Sequence, residues 1–457
     1  MDGPARFGIA FIIVLILIAQ PVRADQAPGG SGPETADRAL QLLAGERAER
    51  LDALDWFRSR GQPDAIAAIL DAARFVDAER AAYFRVVAEL AKEQDQGSWN
   101  RWMLWQEAHP EIPSLPGYDR FKAETMALID PEFRSFLGPG VKHEIRLEEI
   151  AWGGVVKDGI PALINPTFTP ATSAAWLTEG ELVFGVAING DVRAYPFRIM
   201  DWHEMADDVV GGVPVALAYC TLCGSGILFD TRVPGREKPF VFGSSGFLYR
   251  SNKLMYDHET NSLWNQFTGR PVVGTLTGSG FKLKILPVLI TSWGEWRSRH
   301  PDTKVLSLET GYQRPYVPGL PYGEYFASPA LMFPAVVRDH RLQPKDHIFG
   351  IRTEEGAKAW PIAAFKDRTV INDAIGSLGI VLIGDESTRT VRAYERQGRD
   401  FVAGADAESV VSDGAAWRIT EDELIGPAGE TLPRLPGHVA YWFAWASYLP
   451  EAELYQP

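Results

Sequence analysis

The stretch FGVAINGDVRAYP, residues 184–196, has a counterpart later in the chain, FGIRTEEGAKAWP, residues 349–361. The two stretches are separated by one offset, because 349 − 184 and 361 − 196 both equal 165. The offset continues downstream, where Asp208 is matched by Asp373. Matches at a constant spacing over such a length indicate an internal duplication.

A second block repeats at an offset of its own. Residues 286–305 match residues 435–454, because 435 − 286 and 454 − 305 both equal 149. Each block carries a Trp-x2-Trp pair, Trp293 with Trp296 in the first. Two tryptophans three positions apart lie on one face of a helix and bury a large apolar area, so the pair predicts a packing helix.

The predicted fold class is α+β. Residues 36–144 place apolar side chains three and four positions apart, which predicts a helical, hairpin-repeat-like region. Beyond this region, short β-branched and aromatic runs alternate with Gly and Pro, which predicts strands and turns. We therefore expect two tandemly duplicated β-rich repeats, residues 145–310 and a second, degenerate one at residues 320–457.

The amino-terminal residues resemble an export signal. Residues 1–24 contain Arg6, an apolar stretch at 7–19 and small residues before Asp25, as in a secretory signal peptide. Residues 25–35 are rich in Gly and Pro and are predicted to be a linker. The expected location is the periplasm or the cell surface; the alternative is an uncleaved anchor. No other stretch is long enough to span a bilayer.

The overall charge excludes some partners. The formal net charge is −14, and removal of residues 1–24, which carry Asp2, Arg6 and Arg23, would make it −15. An acidic chain without a basic run is not expected to bind nucleic acid. We find no nucleotide-binding motif either.

The two cysteines of the chain, Cys220 and Cys223, lie in the sequence LAYCTLCGSGILFD. This Cys-x2-Cys spacing is typical of half a metal site, for which zinc or copper is the expected ion. A redox-active pair and an inert disulfide are the alternatives. Gly224 occupies the position where a c-type haem site requires His. At the matching positions of the second repeat stand Asp385 and Thr388.

Further candidate side chains are concentrated in residues 201–269. His203 is absent from the second repeat, where Arg368 takes its place, and we expect it to be a metal ligand or a proton shuttle. Other side chains are candidate ligands or supports for the ligands. They are Glu204, Asp208, Ser245, Asp257 and Gln266.

These motifs together resemble a known family. WHE-x3-D-x2-GG-x-PV, YC-x-LCG, FG-x-SG-x-L and MYD-x2-T-x-SLW-x-Q-x2-G follow one another between residues 202 and 269. The succession is similar to "domain of unknown function 3179", a family of exported bacterial and archaeal proteins, over residues 145–310. The resemblance implies no activity, substrate or cofactor. It supports the candidate residues above and adds Trp264. The chain departs from the family pattern at Thr221, where Pro is usual, and at His258, where Arg is usual.

Three hypotheses follow from the sequence. The first is a metal-binding protein with Cys220, Cys223 and His203 as ligands of copper or zinc. The second is a thiol–disulfide protein in which His203 and Glu204 handle protons beside an exposed cysteine. The third is a scaffold that binds another envelope protein through residues 201–269. The sequence identifies neither a reaction nor a small-molecule substrate.

Overall fold

A computed structural model describes residues 32–456. The predicted signal peptide, residues 1–24, lies outside the described residues. The first helix begins at Gly32, inside the segment predicted as a linker at 25–35. No helix of the described part of the chain is long and apolar enough to cross a membrane.

The amino-terminal part of the described chain is helical, as the spacing of apolar residues predicted. Local signals set the ends of these helices: Glu46 and Glu49 form a capping box at the start of one, and Gly61 ends it with a φ of 66°. The helices of the whole structure are α1 (Gly32–Gln41), α2 (Arg47–Arg60), α3 (Ile66–Ala73), α4 (Arg80–Ala91), α5 (Trp99–Ala108), α6 (Tyr118–Ala127), α7 (Phe197–His203), α8 (Trp293–Arg299), α9 (Gly323–Ala327) and α10 (Trp442–Tyr448).

The remainder of the chain is built from short strands, so the α+β class is confirmed. The earlier strands are β1 (Ile150–Trp152), β2 (Leu163–Ile164), β3 (Phe168–Pro170), β4 (Leu182–Ile188), β5 (Asp191–Pro196), β6 (Met205–Val210), β7 (Val213–Cys220), β8 (Ser225–Asp230), β9 (Phe242–Tyr249), β10 (Asn252–Asp257), β11 (Leu263–Asn265), β12 (Arg270–Val273), β13 (Lys284–Leu286), β14 (Leu289–Ser292) and β15 (Lys304–Leu306). The later strands are β16 (His347–Thr353), β17 (Gly356–Pro361), β18 (Val370–Ile375), β19 (Leu378–Asp385), β20 (Thr390–Glu395), β21 (Val402–Ala403), β22 (Ser409–Ser412), β23 (Ala415–Ile419), β24 (Glu423–Ile425), β25 (Thr431–Pro433), β26 (Gly437–Tyr441) and β27 (Glu453–Leu454).

The strands form six sheets within the described residues. The strand orders of the earlier three are β1-β9-β10-β11-β12, β13-β8-β7-β6-β2 and β14-β4-β5-β15-β3. Those of the later three are β26-β16-β17-β27, β18-β19-β20 and β21-β22-β23-β24-β25. The helical region shares a hydrophobic core with the β1-β9-β10-β11-β12 sheet, because Phe133 and Phe136 pack against Phe247.

The two β-rich parts use the same strand pairing at matching positions. In β4–β5 Phe184 pairs with Tyr195, and in β16–β17 Phe349 pairs with Trp360. The parallel pairs β5–β15 and β17–β27 correspond in the same way. The strands β18, β19 and β20 each begin and end 165 residues after β6, β7 and β8, respectively. For example, β6 begins at Met205 and β18 begins at Val370.

The Trp-x2-Trp helices lie where the sequence predicted, in α8 and α10, and all four tryptophans are buried. Each helix places one ring against a glycine of the neighbouring sheet. A Cβ added to Gly185 would lie 2.4 Å from the Trp296 ring, and one added to Gly350 would lie 2.1 Å from the Trp445 ring. The glycines therefore make room for the rings.

One interval differs from the expectation. Residues 242–269 have no clear counterpart in the later sequence, yet the structure places a five-stranded antiparallel sheet, β21–β25, in the corresponding interval. This sheet packs through Trp417 in a small core that it shares with Val381 and Tyr394 of the β18-β19-β20 sheet. Backbone pairing requires no particular side chains, so similar sheets can form from sequences that do not match.

Residues 307–346, here called the strap, connect the two β-rich parts. The strap contains α9 and no strand. It crosses the region that contains the cysteines, where Trp202 donates a hydrogen bond to the carbonyl of Pro315 and Tyr325 donates one to the carbonyl of Leu222. The strap therefore covers the candidate site.

Candidate functional site

The two cysteines sit in a tight turn between two paired strands. β7 ends at Cys220, a single 3-10 turn spans Thr221–Cys223, and β8 begins at Ser225. Gly224 closes the turn with a φ of 56°, a conformation that glycine adopts without strain. Both cysteines are free thiols, and their exposed fractions are 2% and 0%. The sequence hypothesis of an exposed cysteine is therefore wrong.

The two thiols differ in acidity. Burial disfavours the Cys220 thiolate, but a hydrogen bond from the Cys223 thiol and backbone N–H groups of Lys253 and Cys223 outweigh it, so the pKa of Cys220 is lowered. Burial and the neighbouring sulfur of Cys220 both raise the pKa of Cys223. Cys220 is therefore the better thiolate of the pair.

A tight hairpin turn forms the other side of the cysteine pair. Arg250 and Ser251 connect β9 to β10 with φ values of 49° and 63°, which are unusual for residues other than glycine. The Sγ of Cys223 lies 3.4 Å from the Ser251 carbonyl and 3.4 Å from the amide nitrogen of Asn252. Positive φ at both central residues is what a two-residue type I′ hairpin turn requires, and this turn brings Ser251 and Asn252 against the Cys223 sulfur.

Gln266 supports this hairpin rather than a metal ion. Its Oε1 accepts a hydrogen bond of 2.9 Å from Asn252, which in turn contacts Cys223. Its Nε2 donates to the carbonyls of Ala218 and Ser225, on the strands that flank the cysteine turn. Gln266 thus links the turn to the hairpin, and Asn252 stands between it and the Cys223 sulfur.

Glu204 contacts the cysteine turn from the other side. Its Oε1 accepts 2.8 Å hydrogen bonds from Thr221, within the turn, and from Tyr322 of the strap. Lys253 lies 3.3 Å from its Oε2 and donates to its backbone carbonyl at 3.1 Å. All of these groups are largely buried, so the Glu204–Lys253 ion pair is a charged centre beside the thiols.

His203 makes different contacts. Its Nδ1 lies 2.8 Å from the Pro161 carbonyl, and its Nε2 lies 2.7 Å from the Tyr316 hydroxyl. Because a carbonyl can only accept, Nδ1 carries the proton and Nε2 accepts from the tyrosine. Burial is the main cause that lowers the pKa of His203, so the ring is neutral at neutral pH.

These contacts bear on the predicted metal centre. The described residues include no group of three or more His, Cys, Asp or Glu side chains that could hold a metal ion. Cys220 and Cys223 are therefore not joined by His203 in a three-ligand cluster. Both ring nitrogens of His203 are already used in hydrogen bonds.

Three other candidates hold the fold together. Asp208 accepts hydrogen bonds from Arg193 and Tyr195, both at 2.6 Å, and so links neighbouring sheets. Ser245 donates to the Leu254 carbonyl within its own hairpin. The carboxylate of Asp257 accepts from two backbone N–H groups of its own turn and from the indole of Trp264 at 3.0 Å.

Residues that the sequence analysis missed include Asn252, Lys253 and Tyr322. A lysine and an asparagine within the buried run of β10 are an unusual pattern, since lysine is almost never fully buried without a partner. That pattern could have identified the first two. Tyr322 contacts Glu204 across 118 positions of sequence, and no local pattern indicates it.

Comparison with known proteins identifies a family. A family model described as "Protein of unknown function (DUF3179)" matches residues 157–452. The match extends well past residues 145–310, where the resemblance was seen, and includes both β-rich parts. No curated protein and no solved structure matches the chain. With about two thirds of its length matched by the family model, the chain belongs to the DUF3179 family.

Proposed function

We propose that this chain is a thiol–disulfide protein, in which Cys220 and Cys223 alternate between the dithiol and the disulfide. The observation that carries the proposal is a pair of adjacent, buried free thiols, in which the Cys223 sulfur lies 3.4 Å from both the Asn252 side-chain amide and the Ser251 carbonyl. The lowered pKa of Cys220 and the raised pKa of Cys223 support Cys220 as the attacking thiol and Cys223 as the resolving thiol.

The proposed reaction oxidises the dithiol and reduces a substrate disulfide. The Cys220 thiolate attacks one sulfur of the substrate, the substrate S–S bond breaks, and a mixed disulfide forms as the first substrate thiol leaves. Cys223 then loses its proton and displaces the second substrate thiol, which closes the Cys220–Cys223 disulfide. Two electrons pass from the protein to the substrate, and the two protein protons end on the two product thiols. The reaction also runs in reverse.

The surroundings support this sequence of steps. The Asn252 amide N–H points at Cys223 and can stabilise negative charge on its sulfur during the second displacement. Lys253 provides a buried positive charge beside the turn, where its backbone N–H also bonds Cys220. A buried dithiol is protected from unspecific oxidation until the strap moves.

Access to the thiols requires a change in the strap. Tyr322 and Tyr325 attach it to Glu204 and to the Leu222 carbonyl within the cysteine turn. Within the strap, Lys345 donates to the carbonyls of Tyr325 and Ser328 and so links the carboxyl-terminal end of the strap to the segment around α9. Because few apolar side chains of the strap are fully buried, we expect it to open locally at low free energy.

The test is differential thiol chemistry on the folded protein. We expect Cys220 to alkylate faster than Cys223, and the pair to form a disulfide reversibly in defined dithiol buffers at a potential above that of structural disulfides. The Cys223→Ser variant should retain a mixed disulfide with a small disulfide reagent, and the Cys220→Ser variant should not. Equal alkylation rates, or no intramolecular disulfide in any buffer, would contradict the proposal.

Metal binding is the second candidate, favoured by the same pair of free thiols. Two thiolates suit Cu⁺, which accepts few soft ligands, whereas a structural zinc site needs four ligands. Metal content of the purified protein distinguishes the candidates. Stoichiometric copper that is lost in both Cys→Ser variants would favour metal handling over redox exchange.

We also propose that the two β-rich parts arose by duplication of one unit. The matching strand registers and the glycine–tryptophan contacts support this origin. Reciprocal packing supports it too, because β8 packs against β26 while β20 packs against β14. In this view the first unit carries the cysteines and the second is its partner. We also propose that the chain is exported, because residues 1–24 resemble a signal peptide.

A further inference from the structure

A cavity of about 350 Å³ lies where the two β-rich parts and the strap meet. The earlier β-rich part contributes Asp201 and Tyr219 to its wall, the later part contributes His347 and Arg389, and the strap contributes Phe326. Ligand pockets commonly occur at such junctions between units and have this size. The cavity borders the cysteine turn at Gly224, but no cysteine lines it.

Arg389 is the unusual residue of the cavity wall. It stands 165 positions after Gly224 and has the same backbone conformation, with a φ of 56° at both residues. Gly224 adopts this conformation without strain, whereas an arginine does so at some cost. The Arg389 side chain makes no hydrogen bond or ion pair with any residue between 32 and 456. A strained residue thus presents an unpaired positive charge at the cavity.

Asp201 lines the same cavity with an unsatisfied oxygen. Its exposed fraction is 3%, and its Oδ1 has no hydrogen-bond partner among the described residues. Burial, reinforced by the nearby Glu204 carboxylate and opposed by a hydrogen bond with Tyr219, raises the pKa of Asp201 to about 7. Below that pH the side chain is a neutral acid that can donate a hydrogen bond.

The other charged and titratable groups that face the cavity add no net charge to it. Arg198 and Glu181 neutralise each other through two hydrogen bonds of 2.7 and 2.5 Å. Burial, with help from Arg389 and Lys345, lowers the pKa of His347 to about 3, so its ring is neutral. Burial raises the pKa of the tyrosines at the wall above the usual value, so they are neutral as well. They are Tyr219 and Tyr441.

With these groups balanced, one positive charge remains, and aromatic side chains such as Phe197 and Phe326 form much of the wall. A site with an apolar wall, one cation and one acid that can donate is suited to a monoanion with an apolar body. We propose that the cavity binds a small organic carboxylate, whose oxygens pair with Arg389 and share a hydrogen bond with the unsatisfied Oδ1 of Asp201. This site does not depend on the chemistry of the cysteines.

The test is calorimetric titration of the full chain with benzoate, hexanoate and the neutral isostere benzamide. We expect both carboxylates to bind at least tenfold more tightly than benzamide at pH 6, a difference that corresponds to about 1.4 kcal/mol. Arg389→Gln should remove this preference. Arg418→Gln, a change at an exposed arginine of β23, is the matched control and should leave it unchanged.

The pH profile identifies the role of Asp201. Ionisation of Asp201 removes its donated proton and adds a repelling charge, so the affinity for benzoate should fall about tenfold between pH 6 and pH 8. Asp201→Asn keeps a donor and cannot ionise, so its affinity should be independent of pH in this range. Equal affinities for benzoate and benzamide, no binding of either carboxylate at about 10 mM, or full affinity in Arg389→Gln would overturn the proposal.

Discussion

The buried ion pair of Glu204 and Lys253 provides a strict test of how the cysteine turn is supported. The exposed fractions of the two side chains are 8% and 4%, and Nζ lies 3.3 Å from Oε2. At that distance an effective dielectric constant of about 20 gives a gross attraction of ~5 kcal/mol. Most of this attraction offsets the loss of hydration of the two charges, so the pair contributes little net free energy.

Removal of one partner has a much larger effect than the net contribution. Lys253→Met leaves the Glu204 carboxylate buried with only the hydroxyl hydrogen bonds of Thr221 and Tyr322. We expect the free energy of unfolding to fall by about 3–5 kcal/mol. The double variant Glu204→Gln/Lys253→Met removes both charges and should recover more than half of that loss.

The assay is urea denaturation followed by tryptophan fluorescence, with Lys304→Met as the matched control. Lys304 forms an ion pair with Asp191 at a similar distance, 3.0 Å, but more than half of its side chain is exposed. Its loss should therefore change the free energy of unfolding by less than about 1 kcal/mol. The reasoning is refuted if Lys253→Met is no more destabilising than Lys304→Met, or if the double variant is as unstable as the sum of its single changes.

Two further predictions concern the fold. Burial raises the pKa of Asp207 to about 8, above the value of the unfolded chain. The protonated Asp207 side chain therefore contributes its full stabilisation below about pH 4. This stabilisation should decline between about pH 4 and pH 8, by about 1.4 kcal/mol per pH unit. Urea titrations of wild type and Asp207→Asn across this range should show a steeper decline in wild type than in the variant, in which Asp201 still titrates; parallel pH profiles would contradict the assignment. Gly350→Ala should destabilise the protein by about 1–3 kcal/mol because its Cβ would meet the Trp445 ring at 2.1 Å, whereas Gly180→Ala, with nothing within 4 Å, should not. Thermal unfolding measures both, and similar melting temperatures would show that the close contact is unimportant.

Regular features were predictable because their signals are local. The Trp-x2-Trp pair of each β-rich part indicated α8 and α10, since residues three apart share a helix face wherever the helix packs. Short β-branched and aromatic runs that alternate with Gly and Pro indicated strands beyond the helical region, and the structure places β4 and β5 over the stretch FGVAINGDVRAYP. Local propensity and hydrophobic pattern agree at these positions.

The position of His203 was not predictable from its neighbours in sequence. The helix α7 ends at His203, and Glu204 takes a left-handed φ of 54°, so the two adjacent side chains turn apart. Glu204 faces Thr221 in the cysteine turn, whereas His203 faces Pro161 and Tyr316. His203 lies 17 residues before Cys220, and this spacing does not show whether its side chain faces the cysteine turn or faces away from it.

The sequence by itself determined the α+β class, the matched strand segments and the cysteine turn, because each depends on the spacing of residues along a short stretch. Only the tertiary structure decided what surrounds those elements. It placed the strap tyrosines over the turn, Asn252 beside Cys223, and Arg389 in the same cavity as Asp201. These neighbours are far apart in the chain, and their proximity depends on how sheets pack, which no local pattern of side chains encodes.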